Sequence, residues 1–209
     1  YKDVTLTWTV TEGAVQSYQS SVKADKGIEI GFIGKDQGTI NVTNKGNIEL
    51  AGNIKSNKVE GHAKYAGTVD INSTTGSIYQ SGGNIYSDNI TLNAAKGISG
   101  VDGLNITSMS DTVNLTAKNS GSGNINLNVN AGYLNNVRQK GNVIVGEILT
   151  QSGNVSLNAA GNISQAVAGT ASVKGDRIDL TSREGGINLI VQGGTEATNT
   201  DTMSSSINA

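Results

Sequence analysis

Gly153-Asn-Val-Ser-Leu-Asn-Ala-Ala-Gly-Asn-Ile-Ser-Gln165 contains the short phrase that decides the fold of this chain. In this phrase a glycine and a small polar residue precede an Ile or Val, and one polar residue separates that side chain from a second apolar one. Clear copies begin at Gly38, Gly46, Gly67, Gly123, Gly141 and Gly153, and looser copies at Gly76, Gly83, Gly161 and Gly186. Each copy is too short to bury its own apolar face, so the copies are expected to stack and share one core.

Apolar and polar residues alternate within each phrase, as in Val113-Asn-Leu115 and Ile178-Asp-Leu180. A period of two indicates a β-strand with one buried face, and helical spacing is nowhere convincing. Pairs of phrases form a longer unit, with similar starts at Thr68, Asn89 and Thr112. The sequence therefore predicts an all-β fold, a right-handed parallel β-helix of roughly eight to ten coils.

The glycine that opens each phrase is expected at a tight corner between strands. Such a corner needs a positive φ angle or a close backbone approach, and glycine accepts both because it has no Cβ. Asparagine is frequent beside these glycines. Stacked asparagines are expected to satisfy their side-chain amides through one another, as they do in cross-β ladders.

Three regions follow from the distribution of the phrase. Residues 1–26 are predicted to be a flanking or capping strand segment, residues 27–191 the β-helical repeats, and residues 192–209 a polar tail or a continuation of the repeats. The chain has no apolar run long enough to span a membrane and no signal peptide at its start. It begins without Met and ends in a polar stretch, so it is expected to be an internal piece of a longer protein.

Composition narrows the range of functions. The 209 residues are 35% hydrophobic but only 4% aromatic, which predicts a thin, elongated core. A net charge of -2 without blocks of like charge argues against nucleic acid and anionic lipid as partners. Cysteine is absent, and the single histidine, His62, has no partner for a metal centre or a nucleophilic dyad. No metal or other cofactor is therefore predicted.

Residues 56–66, 129–140 and 166–174 interrupt the regular spacing. Insertions in stacked repeats form loops that bulge from one side, often the binding side, so these are the candidate contact regions. Exposed aromatic rings would serve as platforms for sugars or as protein anchors, unless they merely cover a sheet face. The candidate binding residues are Lys58, His62, Lys64, Tyr65, Tyr79, Tyr86, Tyr133 and Arg138, with Tyr79 and Tyr86 expected to point outward from adjacent phrases.

Parallel β-helices include polysaccharide lyases and glycoside hydrolases, which need two carboxyl groups across one sugar, so carboxylate pairs are candidate catalytic groups. Asp176 and Asp179 are close in sequence, and Asp70 is expected one turn from Glu49 or Asp88. All of them occupy polar positions of the repeat, where alternation already requires a solvated side chain. No catalytic residue is assigned, and the chain is predicted not to be an enzyme.

The phrase at residues 153–165, with echoes at 89–95 and 112–117, resembles the repeats of filamentous haemagglutinin-type exoproteins. The resemblance extends from about residue 27 to residue 189. It implies an internal segment of a β-helical shaft that is secreted or exposed on the bacterial surface. It also implies export by an outer-membrane transporter through the two-partner route. Members of this family act as adhesins or present a toxin to other cells, so the implied partner is a host or bacterial surface receptor, either glycan or protein.

These observations together predict a non-enzymatic structural and adhesive shaft segment that mediates or presents attachment to other cells. Two alternatives stay open. One is a polysaccharide lyase or glycosidase built on the same β-helix. The other is a surface amyloid subunit, which the Asn- and Gly-rich repeats also suggest.

Overall fold

The computed structural model describes residues 2–9, 15–22, 32–34, 39–56, 67–199 and 206–208, with side chains for residues 39–55 and 67–193. These residues form β-strands joined by turns and short loops, and no helix occurs among them. The prediction of an all-β chain is confirmed.

The strands have the following bounds in chain order. The first nine are β1 (Lys2–Thr9), β2 (Val15–Val22), β3 (Phe32–Gly34), β4 (Thr39–Asn44), β5 (Ile48–Leu50), β6 (Ile54–Ser56), β7 (Thr68–Ser73), β8 (Ile78–Gln80) and β9 (Ile85–Tyr86). The next seven are β10 (Asn89–Ala94), β11 (Ile98–Gly100), β12 (Leu104–Ser108), β13 (Thr112–Ser122), β14 (Ile125–Ala131), β15 (Tyr133–Leu134) and β16 (Val137–Arg138). The last six are β17 (Asn142–Ser152), β18 (Val155–Ala159), β19 (Ile163–Gln165), β20 (Val173–Ser182), β21 (Ile187–Asn199) and β22 (Ser206–Asn208).

Most strands pair in parallel with a strand of the next repeat. A first stack runs through β4, β7, β10, β13 and β17. A second stack runs through β5, β8 and β11, and a third through β3, β6, β9 and β12. The second and third stacks both continue into β14, and from there into β18 and β20. Successive repeats therefore stack strand on strand, with register shifts in the β13–β17 and β20–β21 pairings.

Antiparallel pairing is found in two places among the described residues. β1 pairs antiparallel with both β2 and β4, at one edge of the first stack. β15 and β16 form a small hairpin of their own within the predicted insertion at 129–140. Its two turn residues, Asn135 and Asn136, have φ angles of 50° and 64°, which asparagine tolerates better than most residues and which match the twist of a tight hairpin.

The core consists of ladders of aliphatic side chains. Burial alternates along the strands, as in the pattern of β7, whose apolar side chains face inward. One ladder consists of side chains at consecutive register positions, all buried: Ile48, Ile78, Ile98, Ile125, Val155 and Ile178. Each buried side chain of this size stabilises the fold by about 1.5–3 kcal/mol. No aromatic side chain belongs to the core of the described residues, as the low aromatic content predicts.

Asparagine side chains link successive repeats at the turns. Oδ1 of Asn47 accepts a hydrogen bond from the backbone N–H of Ser77 at 3.0 Å, and Oδ1 of Asn124 accepts one from Asn154 at 2.9 Å. The same bond recurs at Asn53, Asn142 and Asn162. At these turns the amide oxygen therefore bonds to backbone, whereas the expected amide-to-amide contact is found between strands, where Nδ2 of Asn114 donates to Oδ1 of Asn89 at 2.9 Å. At a turn, where strand pairing stops, a backbone N–H still needs a hydrogen-bond acceptor. The asparagine amide oxygen of the preceding repeat is that acceptor.

The glycines beside these asparagines confirm the prediction of tight corners. Gly153 has a φ angle of 141°, and a Cβ there would fall on the carbonyl oxygen of Gly123 in the preceding repeat. Gly76 has no positive φ angle, but its Cβ would lie 2.5 Å from the backbone nitrogen of Asn47. Close stacking of turn on turn leaves no space for a side chain at either position.

Asn119 is a buried polar side chain that bonds to backbone groups of two turns. Asn119 is fully buried, and its Oδ1 accepts a hydrogen bond from the N–H of Gly97 at 3.0 Å. Its Nδ2 donates to the carbonyl oxygen of Gly123 at 2.8 Å and to Oγ1 of Thr150 at 3.2 Å. Because an unpaired buried amide would be costly, this network explains why asparagine is tolerated inside the stack.

Gly153→Ala is expected to lower the free energy of unfolding by about 3 kcal/mol or more, since it adds a steric clash to an unfavourable φ angle. Gly169→Ala is the matched control, because Gly169 also has a positive φ angle, of 83°, but has nothing within 4 Å of the added Cβ. Only the conformational cost of about 1–2 kcal/mol remains there. Urea denaturation of both variants measures the difference, and equal losses would contradict the close-approach explanation.

Candidate functional site: the Tyr79 groove

The candidate binding residues from the sequence do not form one site. Lys58, His62, Lys64 and Tyr65 lie outside the described residues. Tyr79, Tyr86, Tyr133 and Arg138 are described and lie on three different parts of the surface.

Tyr79 and Tyr86 both point outward, as predicted from alternation, but they belong to different stacks. Tyr79 in β8 lies between Glu49 and Ser99 in the register of the second stack, and it is 40% exposed. Tyr86 in β9 belongs to the third stack and is half-buried, with the Lys55 ammonium 6.0 Å from the centre of its ring. The two rings therefore do not form a common platform.

Tyr133 and Arg138 lie opposite each other in the β15–β16 hairpin, where Tyr133 is well exposed. Arg138 forms a bidentate ion pair with Glu184, with Nη1–Oε2 and Nη2–Oε1 distances of 2.8 and 2.6 Å. The guanidinium of Arg138 lowers the pKa of the Glu184 carboxyl, chiefly through this hydrogen bonding. Next to the hairpin, Lys140 pairs with Asp111 at 3.0 Å and lowers the pKa of that carboxyl. These ion pairs thus hold the insertion to neighbouring repeats. The Arg138 guanidinium is already bound to Glu184, so it is not available to bind a ligand.

A groove of about 540 Å³ runs along the outer face of the second stack, and we call it the Tyr79 groove. Its lining is mostly polar and comes from four repeats: Asn47, Ile48, Glu49, Ser77, Tyr79, Lys96, Gly97, Ser99, Asn124 and Asn126. Glu49, Tyr79, Ser99 and Asn126 each follow a buried isoleucine of the core ladder. Since the isoleucines are stacked in register, the residues after them form an outward row.

The polar groups in this row have no partner in the described part of the chain. Glu49, Tyr79, Lys96, Ser99 and Asn126 make no side-chain hydrogen bond or ion pair to another described residue. Some charged residues elsewhere on the surface are paired, for example Lys118 with Glu147 and Arg177 with Asp179. The groove therefore offers donors and acceptors that are free to bind a ligand.

Asparagines at the turns add donors along one side of the groove. Oδ1 of Asn47 and Oδ1 of Asn124 are used by the backbone of the next repeat. Their Nδ2 groups make no hydrogen bond within the described residues. The turn backbone thus fixes the orientation of each amide and directs its N–H groups away from that bond, which pre-organises the site.

The carboxylates that sequence reasoning weighed as catalytic pairs have other partners. Oδ2 of Asp176 accepts the backbone N–H of Gly153 at 2.8 Å, and Asp179 pairs with Arg177 at 3.1 Å. The expectation for Asp70 was wrong, because its register neighbours are Asn41 and Thr91 rather than Glu49 or Asp88. Burial raises the pKa of the Asp70 carboxyl, but the register places no second carboxyl beside it.

Lys96, Ser99, Asn124 and Asn126 were not proposed as binding residues from the sequence. They occupy positions beside or after the isoleucine of a phrase, where polar residues are expected in any half-buried strand. Aligning the phrases on that isoleucine would have placed Ser99 and Asn126 in one row with Tyr79. The length of the loops between phrases varies, which hid this alignment.

Among the residues that the structure describes, no cluster of His, Asp and Glu could hold a metal ion. Within the same ranges, no helix is long and apolar enough to cross a membrane.

Comparison of this chain with models of known protein families, with curated proteins and with solved structures finds no match. The resemblance to filamentous haemagglutinin-type exoproteins therefore stays a hypothesis based on the repeated phrases.

Arg138→Gln is expected to raise the pKa of Glu184 towards its ordinary value of 4.5, because the hydrogen-bonded cation is removed. Because the pKa of Glu184 is lowered in the folded protein, its ion pair with Arg138 contributes fully to folding stability above pH 4.5. This contribution is lost as the pH falls through the lowered pKa of Glu184. A carboxyl ¹³C NMR titration measures the shift. Arg177→Gln is the control, because Arg177 pairs with Asp179 and its loss should leave the Glu184 titration unchanged. An unchanged Glu184 titration in Arg138→Gln would contradict the ion pair.

Proposed function

We propose that this chain is a non-enzymatic segment of a β-helical shaft in a secreted or surface-exposed bacterial adhesin. One observation carries the proposal: the unbroken register of the buried ladder from Ile48 through Ile98 to Ile178. A ladder of this kind supports repeats that wind around a common axis as a parallel β-helix. Right-handed winding follows from the general preference of parallel crossover connections.

The same stacking supports the role of a stiff spacer. Parallel strands lie about 4.8 Å apart, so the six ladder positions from Ile48 to Ile178 would span roughly 25 Å along the axis. Each repeat contacts its neighbours through backbone hydrogen bonds and through aliphatic side chains. A rod built in this way would project attached parts away from a cell surface without bending at flexible linkers.

The adhesive part of the proposal is supported by the Tyr79 groove, whose outward side chains have no partner among the described residues. Its partner would be a host or bacterial cell-surface receptor, either glycan or protein. Export by an outer-membrane transporter is implied by the resemblance to filamentous haemagglutinin-type exoproteins and is proposed on that basis. A non-enzymatic role is favoured over a glycan-cleaving one because Asp176 and Asp179 are engaged by Gly153 and Arg177.

Small-angle X-ray scattering of the purified chain is expected to give an elongated pair-distance distribution, because the repeats would extend along one axis. Circular dichroism is expected to be dominated by strand. A compact spherical profile would contradict the shaft. Saturable binding of the labelled chain to epithelial or bacterial cells tests the adhesive part, and its absence on both would contradict that part and leave the shaft in place.

A further inference from the structure

We infer that the Tyr79 groove binds a neutral oligosaccharide that lies along the stacking direction of the repeats. The inference rests on the proposed adhesive function and names its ligand class. It places the contact on the outer face of the second stack, and the groove lining includes no residue of the predicted insertions at 129–140 and 166–174.

The spacing of the groove fits an extended sugar chain. Glu49, Tyr79 and Ser99 lie in register on neighbouring strands, and Asn126 follows Ile125, the register partner of Ile98. Neighbouring strands are about 4.8 Å apart, which is comparable to the advance of one sugar unit in an extended chain. One outward side chain can therefore meet each successive sugar.

The chemistry of the lining suits hydroxyl groups. Tyr79 presents an exposed ring on which the C–H face of a sugar can stack, together with a free hydroxyl. Asn126 and Ser99 offer both donors and acceptors, as a sugar hydroxyl does. The Nδ2 groups of Asn47 and Asn124 add donors whose orientation is set by the turn backbone.

The charge of the groove argues for a neutral ligand. Lys96 contributes one positive charge and Glu49 one negative charge, and both can hydrogen-bond to hydroxyl groups. A polyanion such as a nucleic acid or a sulfated glycan would need several cations along its path, whereas the groove has one.

The distribution of exposed apolar residues argues against a protein in the groove. The centre of a protein interface is rich in aromatic and apolar side chains. Among residues 39–55 and 67–193, the exposed large apolar residues outside the groove are Val101, Tyr133, Val137 and Val167, while Tyr79 is the one that lies within it. A protein partner would be expected to use those other positions instead.

Titration calorimetry of the 209-residue chain with cellohexaose, chitohexaose and maltohexaose tests the inference, with hexagalacturonate as the acidic comparison. Saturable binding to at least one neutral hexasaccharide is expected. Tyr79→Ala should weaken that binding about tenfold, whereas Tyr79→Phe should weaken it much less because the stacking face is kept. Tyr133→Ala is the matched control, since it removes an exposed ring outside the groove and should leave the affinity unchanged.

Three results would overturn the inference: no binding to any neutral hexasaccharide, binding to hexagalacturonate alone, or neutral binding that Tyr79→Ala does not weaken. Each variant is checked by scattering and circular dichroism, so loss of the groove is distinguished from loss of the fold. If the chain is elongated but binds no glycan, the inference about the groove ligand is wrong and the proposal of a shaft stands. If saturable cell binding is unchanged in Tyr79→Ala, the proposal of an adhesin stands, but its contact with the cell lies on another surface.

Discussion

In-register parallel pairing between repeats is the constraint on which the rest of this structure depends. Backbone groups of one strand bond to the next repeat, and the pairing places Ile78 on Ile48 and Ile98 on Ile78. A slip by one residue would turn the whole apolar ladder to the outside. The correct register therefore preserves the stabilisation from burying many side chains at once. The turns hold it there, because Asn47 and Asn124 each bond to the backbone of the next repeat.

The same constraint produces the surface that could carry function. A buried residue at each ladder position leaves its neighbour in sequence facing outward, and stacking brings those neighbours into one row. Packing does not dictate the chemistry of this row, since its side chains face solvent. Glu49, Tyr79 and Asn126 are therefore free to differ from repeat to repeat, and a fold of nearly uniform repeats acquires a site of mixed chemistry.

The insertion at 129–140 shows the opposite arrangement. Its hairpin projects from the stack, yet Arg138 is bound to Glu184, which lies in the turn after β20. Lys140 and Asp111 form a second bridge beside it. Both pairs are exposed, so each contributes little to stability, but together they fix the orientation of the loop. An insertion in a repeat need not be a binding loop when its charges are already paired.

Short-range pattern by itself determined the strands, their buried faces and the glycine corners, because alternation and φ preference act over a few residues. It placed Tyr79 outward for the same reason. Only the tertiary structure decided which outward residues share a groove, that turn asparagines such as Asn47 bond to backbone, and that Arg138 pairs with Glu184. Those contacts join residues some twenty to fifty positions apart, and the loops between the phrases vary in length. Pairing over such distances depends on the register of whole strands, which the pattern within a single phrase does not fix.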